Sequence, residues 1–231
     1  MQRTSDEDAT TAAEQCLCAI LSQAVSHALA MPKKRKPRES STDTSLVLDR
    51  LARARDTHQP VGVRRWIAGA DRVDGFVTGV GAAWVALAKL DDRVRPDGWS
   101  LLRLSDIKSV SIDPDPDCFE IKALRARNLW PPTSIDVALD DVVALVRSVA
   151  MADPVSTVFV EDDRPHICWI GAVISVDAQT LRLLEIDTQG EWGRKPRAID
   201  LEDITRIEFG GGYEEALRLV AGPPPTAALP A

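Results

Sequence analysis

The chain has 231 residues, of which 45% are hydrophobic and 27% charged, and its formal net charge is −7. That length suits one large domain or two small ones, with an ordinary globular composition. No apolar run reaches the length of a membrane helix, and Asp6, Glu7 and Asp8 stand where a secretion signal carries positive charge. A cytoplasmic protein without membrane contact is expected. Its four cysteines, Cys16, Cys18, Cys118 and Cys168, lack the spacing of a disulfide framework or a zinc site, so reduced thiols and no metal are expected.

Residues 1–43 read as a helix and a basic disordered linker. Leu17, Ile20, Leu21, Ala24, Val25 and Ala28 fall on one helical stripe, and "PKKRKPR" at 32–38 reads as a solvated linker. Met31 is an alternative start to Met1. The first unit, 44–128, opens with the helix "TDTSLVLDRLARARD", with Leu48 and Leu51 on its stripe. The runs "GFVTGV", "WVALAKL", "WSLLRL" and "IKSVSI" alternate with period two, as half-buried strands do. "DCFEIKALRAR" then reads as a short helix. The second unit, 129–221, begins with the helix "SIDVALDDVVALVRSVA", for which Ser134 is the expected N-cap. Strands "WIGAVISV", "TLRLLEI", "RAIDL" and "ITRIEF" follow, then the helix "GYEEALRLV" and a disordered tail at 222–231. Phe119 and Tyr213 are expected to anchor the two short helices. Trp84, Trp99, Trp130, Trp169 and Trp192 are expected to fill an interior shared by the units.

The units match position by position. Aligning Gly75 with Gly171 places Val77 on Val173, Val80 on Val176, Leu87 on Leu183 and "SDI" near "EDI". Such a spacing of apolar positions points to an internal duplication. The two-residue step Ser105-Asp106, or Glu202-Asp203, is too short for a regular hairpin. It suits a tight bend within a small barrel. The expected class is therefore mainly β with flanking helices, as two tandem five-stranded barrels.

A helix, five short strands and a tight turn before the last strand resemble the Sm-like fold, a relative of SH3-like barrels. The stretches "HICWIGAVISV" and "DITRIEFGGGYEEAL" further resemble an uncharacterised bacterial family of tandem Sm-like small β-barrel proteins. That family implies no activity. For RNA-binding Sm-like proteins the resemblance implies a Gly, an Asp six positions on, a following Asn, and an Arg-Gly at the last turn. Gly171 and Asp177 match the first two, but Leu181 stands at the Asn. In the first unit Gly75 matches, while Gly81 and Val85 replace the others. The last turns carry Ser105-Asp106 and Glu202-Asp203.

No residue pattern calls for a catalytic centre, a cofactor or a metal. His166 and Cys168 form a lone pair without an orienting acid. "DPDPD" at 113–117 is a stiff acidic loop rather than a calcium site, and "GGG" at 210–212 is a strand-to-helix turn. Arg64, Arg65 and Trp66, with Arg194, Lys195 and Arg197 near Trp192, mix cation and aromatic as nucleic-acid surfaces do. Residues 44–128 hold 14 basic and 12 acidic side chains, net +2. Residues 129–220 hold 8 and 17, net −9, which repels a phosphate backbone. The expected function is a non-catalytic interaction or scaffold module with a protein partner. The alternatives are a nucleic-acid-associated protein using the first unit and the linker, and an enzyme with a site between the units.

Overall fold

The computed structural model describes residues 41–225. The N-terminal stripe, the linker at 32–38, the question of the start and most of the expected tail lie outside the described residues. Helix α1 (Ser41–Thr57) opens them. Its buried stripe is Val47, Leu51 and Ala54, spaced four and three apart so that they line one face. Leu48, expected on that stripe, is 36% exposed.

Five strands follow: β1 (Pro60–Arg65), β2 (Val73–Val80), β3 (Trp84–Leu90), β4 (Pro96–Arg103) and β5 (Ile107–Ile112), then α2 (Phe119–Ala126). The second half has α3 (Val142–Ala152), β6 (Ser156–Phe159), β7 (Cys168–Val176), β8 (Thr180–Glu185), β9 (Arg197–Asp200), β10 (Arg206–Phe209) and α4 (Gly212–Ala221). Three-residue 3-10 turns, Leu104–Asp106 and Leu201–Asp203, occupy the tight steps before β5 and β10.

The protein is mainly β with flanking helices. Its strands form one ten-stranded antiparallel sheet in the order β5-β1-β2-β3-β4-β10-β6-β7-β8-β9. The first five positions and the last five therefore repeat the same order. The sheet is not closed, which departs from the expected pair of separate barrels. The physical reason lies at β4. Its outer edge hydrogen-bonds to β10 of the other half, pairing Leu102 with Arg206, Leu101 with Ile207, Ser100 with Glu208 and Trp99 with Phe209. Gly75 and Gly171, the residues on which the halves align, share a role. A Cβ would stand 2.6 Å from the Ala88 carbonyl oxygen at the first and 2.0 Å from that of Leu184 at the second, so only glycine admits the neighbouring strand.

One apolar cluster crosses the junction. Trp84, Ala86 and Leu101 from the first half pack with Leu145, Val146, Val149, Trp169, Leu181, Ile207 and Phe209 from the second. A second cluster lies under α1 in the first half, centred on Leu51, Val63, Val85, Leu87, Leu102 and Val110. Of the five tryptophans expected in a shared interior, Trp84, Trp169 and Trp99 belong to the joint cluster, where Trp99 stacks on Phe209 at 5.6 Å. Trp130 packs instead with Phe76 near α2, and Trp192 with the residues under α4.

Two helix expectations are corrected. Residues 134–141 are not helical; α3 begins at Val142, and its N-cap is Asp141, whose carboxylate accepts from the Ala144 N–H. The preceding segment is held elsewhere. The Leu139 carbonyl accepts from Ala83 and Trp84 N–H at 3.1 and 2.9 Å, and the Asp140 side chain accepts from Ala82 N–H at 2.8 Å. These tertiary bonds satisfy backbone groups of the β2–β3 turn and outweigh one more turn of helix. Phe119 does not anchor α2, being 70% exposed; Ile121 and Leu124 do that, with Cys118 beside them. Tyr213 does pack under α4.

Candidate functional site

Strand β10 reads Arg-Ile-Glu-Phe, and every residue of it is buried. Ile207 and Phe209 enter the joint apolar cluster. Arg206 and Glu208 alternate with them and lie on the other face, between β4 and β6. There they join a line of buried charges. Glu161 takes both Arg65 guanidinium nitrogens, with Nη2 donating at 2.8 Å, and Arg206 Nη2 stands 3.3 Å away. The Thr205 hydroxyl donates to the same carboxylate at 2.7 Å. On the other side Glu208 accepts from Lys89 Nζ at 2.9 Å, with Arg206 Nη1 at 3.5 Å. The Thr157 hydroxyl donates to Glu214, in the first turn of α4, at 2.5 Å.

The charge states follow from these partners. Burial alone would lift the Glu161 carboxyl, but Arg206 and Arg65 beside it hold it below its ordinary value. Glu208 is likewise lifted by burial and pulled down by Lys89 and Arg206, to about 2. Lys89 is lowered by burial, yet Glu208 outweighs this and leaves the ammonium above its usual value. Glu214 differs: burial and the neighbouring Glu208 charge raise it. Ion pairs of this kind, Arg65 with Glu161 and Lys89 with Glu208, join the two halves. A proton-transfer group would need a value near the working pH.

Beside this filled junction lies an open groove of about 360 Å³. Ala83, Trp84 and Ser105 line it from the first half, and Val142, Leu201 and Glu202 from the second. Arg103 also lines it. Its guanidinium lies 5.7 Å from the Trp84 ring centroid and donates to the Ile204 carbonyl. The groove is thus an apolar trough with a rim of exposed Ser105 and Glu202.

The residues expected to touch nucleic acid are dispersed. Arg65 is buried in its pair with Glu161, so it presents no charge to solvent. Arg64 is exposed, and Trp66 is 47% exposed with Lys108 Nζ 5.0 Å from its ring centroid. Arg194 and Lys195 are exposed in the turn before β9. Arg197 pairs with Glu185 and lies 5.2 Å from the Trp169 ring centroid, not on Trp192. Trp192 donates its indole N–H to the Ala221 carbonyl at 3.1 Å. His166 lies on an exposed turn, while Cys168 is buried at the start of β7. Cys118 is a free, buried thiol, and Cys16 and Cys18 lie outside the described residues. The acidic loop is built from its own carboxylates: Asp113 accepts from Asp115 N–H and Asp115 from Asp117 N–H. The glycine turn leads β10 into α4 as expected, with Gly210 at φ +71°. Among the described residues no three His, Cys, Asp or Glu side chains come together as metal ligands, and no helix is long and apolar enough to cross a membrane.

The chain was compared with protein-family models, curated proteins and solved structures, and none matches. Sequence reasoning missed Lys89, Glu161, Arg206 and Glu208, because charged residues alternating with apolar ones ordinarily mark a solvent face.

Proposed function

We propose that the chain is a non-catalytic, cytoplasmic interaction module of two fused Sm-like, SH3-like five-stranded units, with a protein as its partner. The observation that supports this reading is the junction. Two runs of strands in the same order meet edge to edge, and ionised, paired side chains with an apolar cluster fill the space between them. Glu161 and Glu208, each paired with a cation of the first half, serve as fasteners, which weighs against the enzyme reading. The groove beside Trp84 supplies an apolar trough with polar rims, the usual chemistry of a recognition surface. The test is comparative capture. The native chain and its Ser105→Arg, Glu202→Arg variant are used as baits, and a partner retained by the first and lost from the second carries the proposal. Identical partner sets for both would sink it.

A second reading, nucleic-acid association, rests on the half-exposed Trp66 with Lys108 over it and Arg64 next in sequence. Binding to short RNA and DNA that falls steeply with salt and is lost in Trp66→Ala supports it. No binding at low salt removes it.

A further inference from the structure

The groove beside Trp84 has a charge pattern that narrows the choice of occupant. Its apolar lining comes from Ala83, Trp84, Leu104, Val142 and Leu201. Arg103, the cation among its lining residues, is already engaged. Its guanidinium donates to the Leu201 carbonyl at 3.4 Å and to that of Ile204, and it lies 5.7 Å from the Trp84 ring centroid. The edges are carboxylate. Glu202 lines the groove and is exposed. Asp140, also exposed, accepts from the N–H of Ala82, a lining residue, at 2.8 Å. Asp141 is exposed and immediately precedes Val142. An apolar trough edged by these three carboxylates complements a segment in which apolar side chains are followed by cations.

The chain itself contains such a segment. The helical stripe predicted through Leu17, Ile20, Leu21, Ala24, Val25 and Ala28 is followed by Lys33, Lys34, Arg35, Lys36 and Arg38. These residues lie outside the described ones. We infer that residues 17–38 occupy the groove of their own chain, with the stripe against Trp84, Val142 and Leu201 and the basic run along Glu202, Asp140 and Asp141. The segment thereby competes with the protein partner. This rests on the reading of the groove as a surface for protein recognition, and supplies its regulation.

Reach and affinity both suit a tethered occupant. The twelve residues 29–40 separate the stripe from α1, and extended they span about 40 Å. Helix α1 is itself only about 25 Å long. Leu104 packs against the cluster beneath α1 and also lines the groove, so the groove adjoins the helix from which the segment departs. A groove of about 360 Å³ accepts a few side chains, and a segment on the same chain needs no larger contact. A tether of this length gives an effective concentration of about 1 mM. Against an intrinsic dissociation constant of about 0.1 mM, it fills about nine-tenths of the grooves and lowers the apparent affinity of any other occupant about tenfold. The net −9 of residues 129–220 adds a general attraction for the basic run.

The experiment titrates the full chain into a fluorescein-labelled synthetic peptide of residues 17–40, under reducing conditions, and reads binding by anisotropy. Leu21→Asp, Val25→Asp in the full chain puts charge on the stripe and releases the groove. The peptide is expected to bind this variant about tenfold tighter than it binds the native chain, and to lose affinity as salt rises. Adding Ser105→Arg, Glu202→Arg to the released variant is expected to abolish the binding. Glu202→Lys alone, a milder change at an exposed residue, is expected to weaken it, and circular dichroism confirms that each variant folds. Equal binding to the native chain and the released variant overturns the inference. So does binding to neither, or binding that ignores Ser105 and Glu202. No cellular partner enters this measurement, so its failure and the failure of the capture test are separate results.

Discussion

Glu161 stands between two guanidinium groups with 2% of its side chain exposed. Glu161→Gln leaves Arg65 buried without a counter-charge and Arg206 with Glu208 alone, and removing one partner of such a pair costs about 3–5 kcal/mol. The check is a denaturant midpoint, with Ser105→Ala as a surface control. The pH dependence has two opposed parts. Glu208, with an ordinary value of 4.5, is held at about 2 in the folded chain. Its stabilisation is complete above pH 4.5 and lost as the pH falls towards 2, about 3 kcal/mol over that window. Glu161 shifts in the same direction. Glu214 shifts the other way, since burial holds its proton. In the unfolded chain it ionises near 4.5, so its burial costs stability as the pH rises past that value. Glu214→Gln keeps an acceptor for the Thr157 hydroxyl and removes the ionisation. It should be more stable than the native chain at neutral pH, with the difference vanishing in acid. A variant less stable at neutral pH would show that the Glu214 charge is stabilising.

At the scale of elements, eight of the ten strands among the described residues were legible, while β1, β6 and the true start of the second long helix were not. Alternation of apolar and polar residues marks β2, β3, β7 and β8 directly, and the tight steps at Ser105-Asp106 and Glu202-Asp203 became 3-10 turns. The apolar stripe through Ile135, Leu139 and Val142 fits a helix equally well. What decides against it is distant in sequence: N–H groups of Ala82, Ala83 and Trp84 that need acceptors, which residues 139 and 140 supply. Asp141 then caps what remains of the helix. Asp141→Ala removes the acceptor for Ala144 N–H and should cost about 1 kcal/mol, whereas Ser134→Ala, the cap the sequence suggested, should cost nothing measurable. Thermal melts of the two variants side by side separate the two positions.

The molecule as a whole explains why the site was less legible than the fold. The sequence suggested Trp84 for an interior shared by the units, but it did not single out Leu101, Ile207 or Phe209. In the structure they share one cluster, because β4 turns Leu102 into the core beneath α1 and Leu101 into the core of the other half. Nothing in either repeat, taken alone, announces that its edge meets the other's. The charged alternation of β10 looked like a wetted face for the same reason. A sheet continuous across the halves, with a cluster drawn from both, cannot lose one half and leave the other intact. Unfolding of residues 41–225 should therefore be a single cooperative step, with tryptophan fluorescence and far-ultraviolet circular dichroism tracing the same transition. Leu101→Ala, which opens a cavity at the shared cluster, should lower the midpoint for both signals together, by about 2–5 kcal/mol. Two separated transitions, or a loss confined to one signal, would mean that the halves fold independently and that the junction is a contact between finished domains.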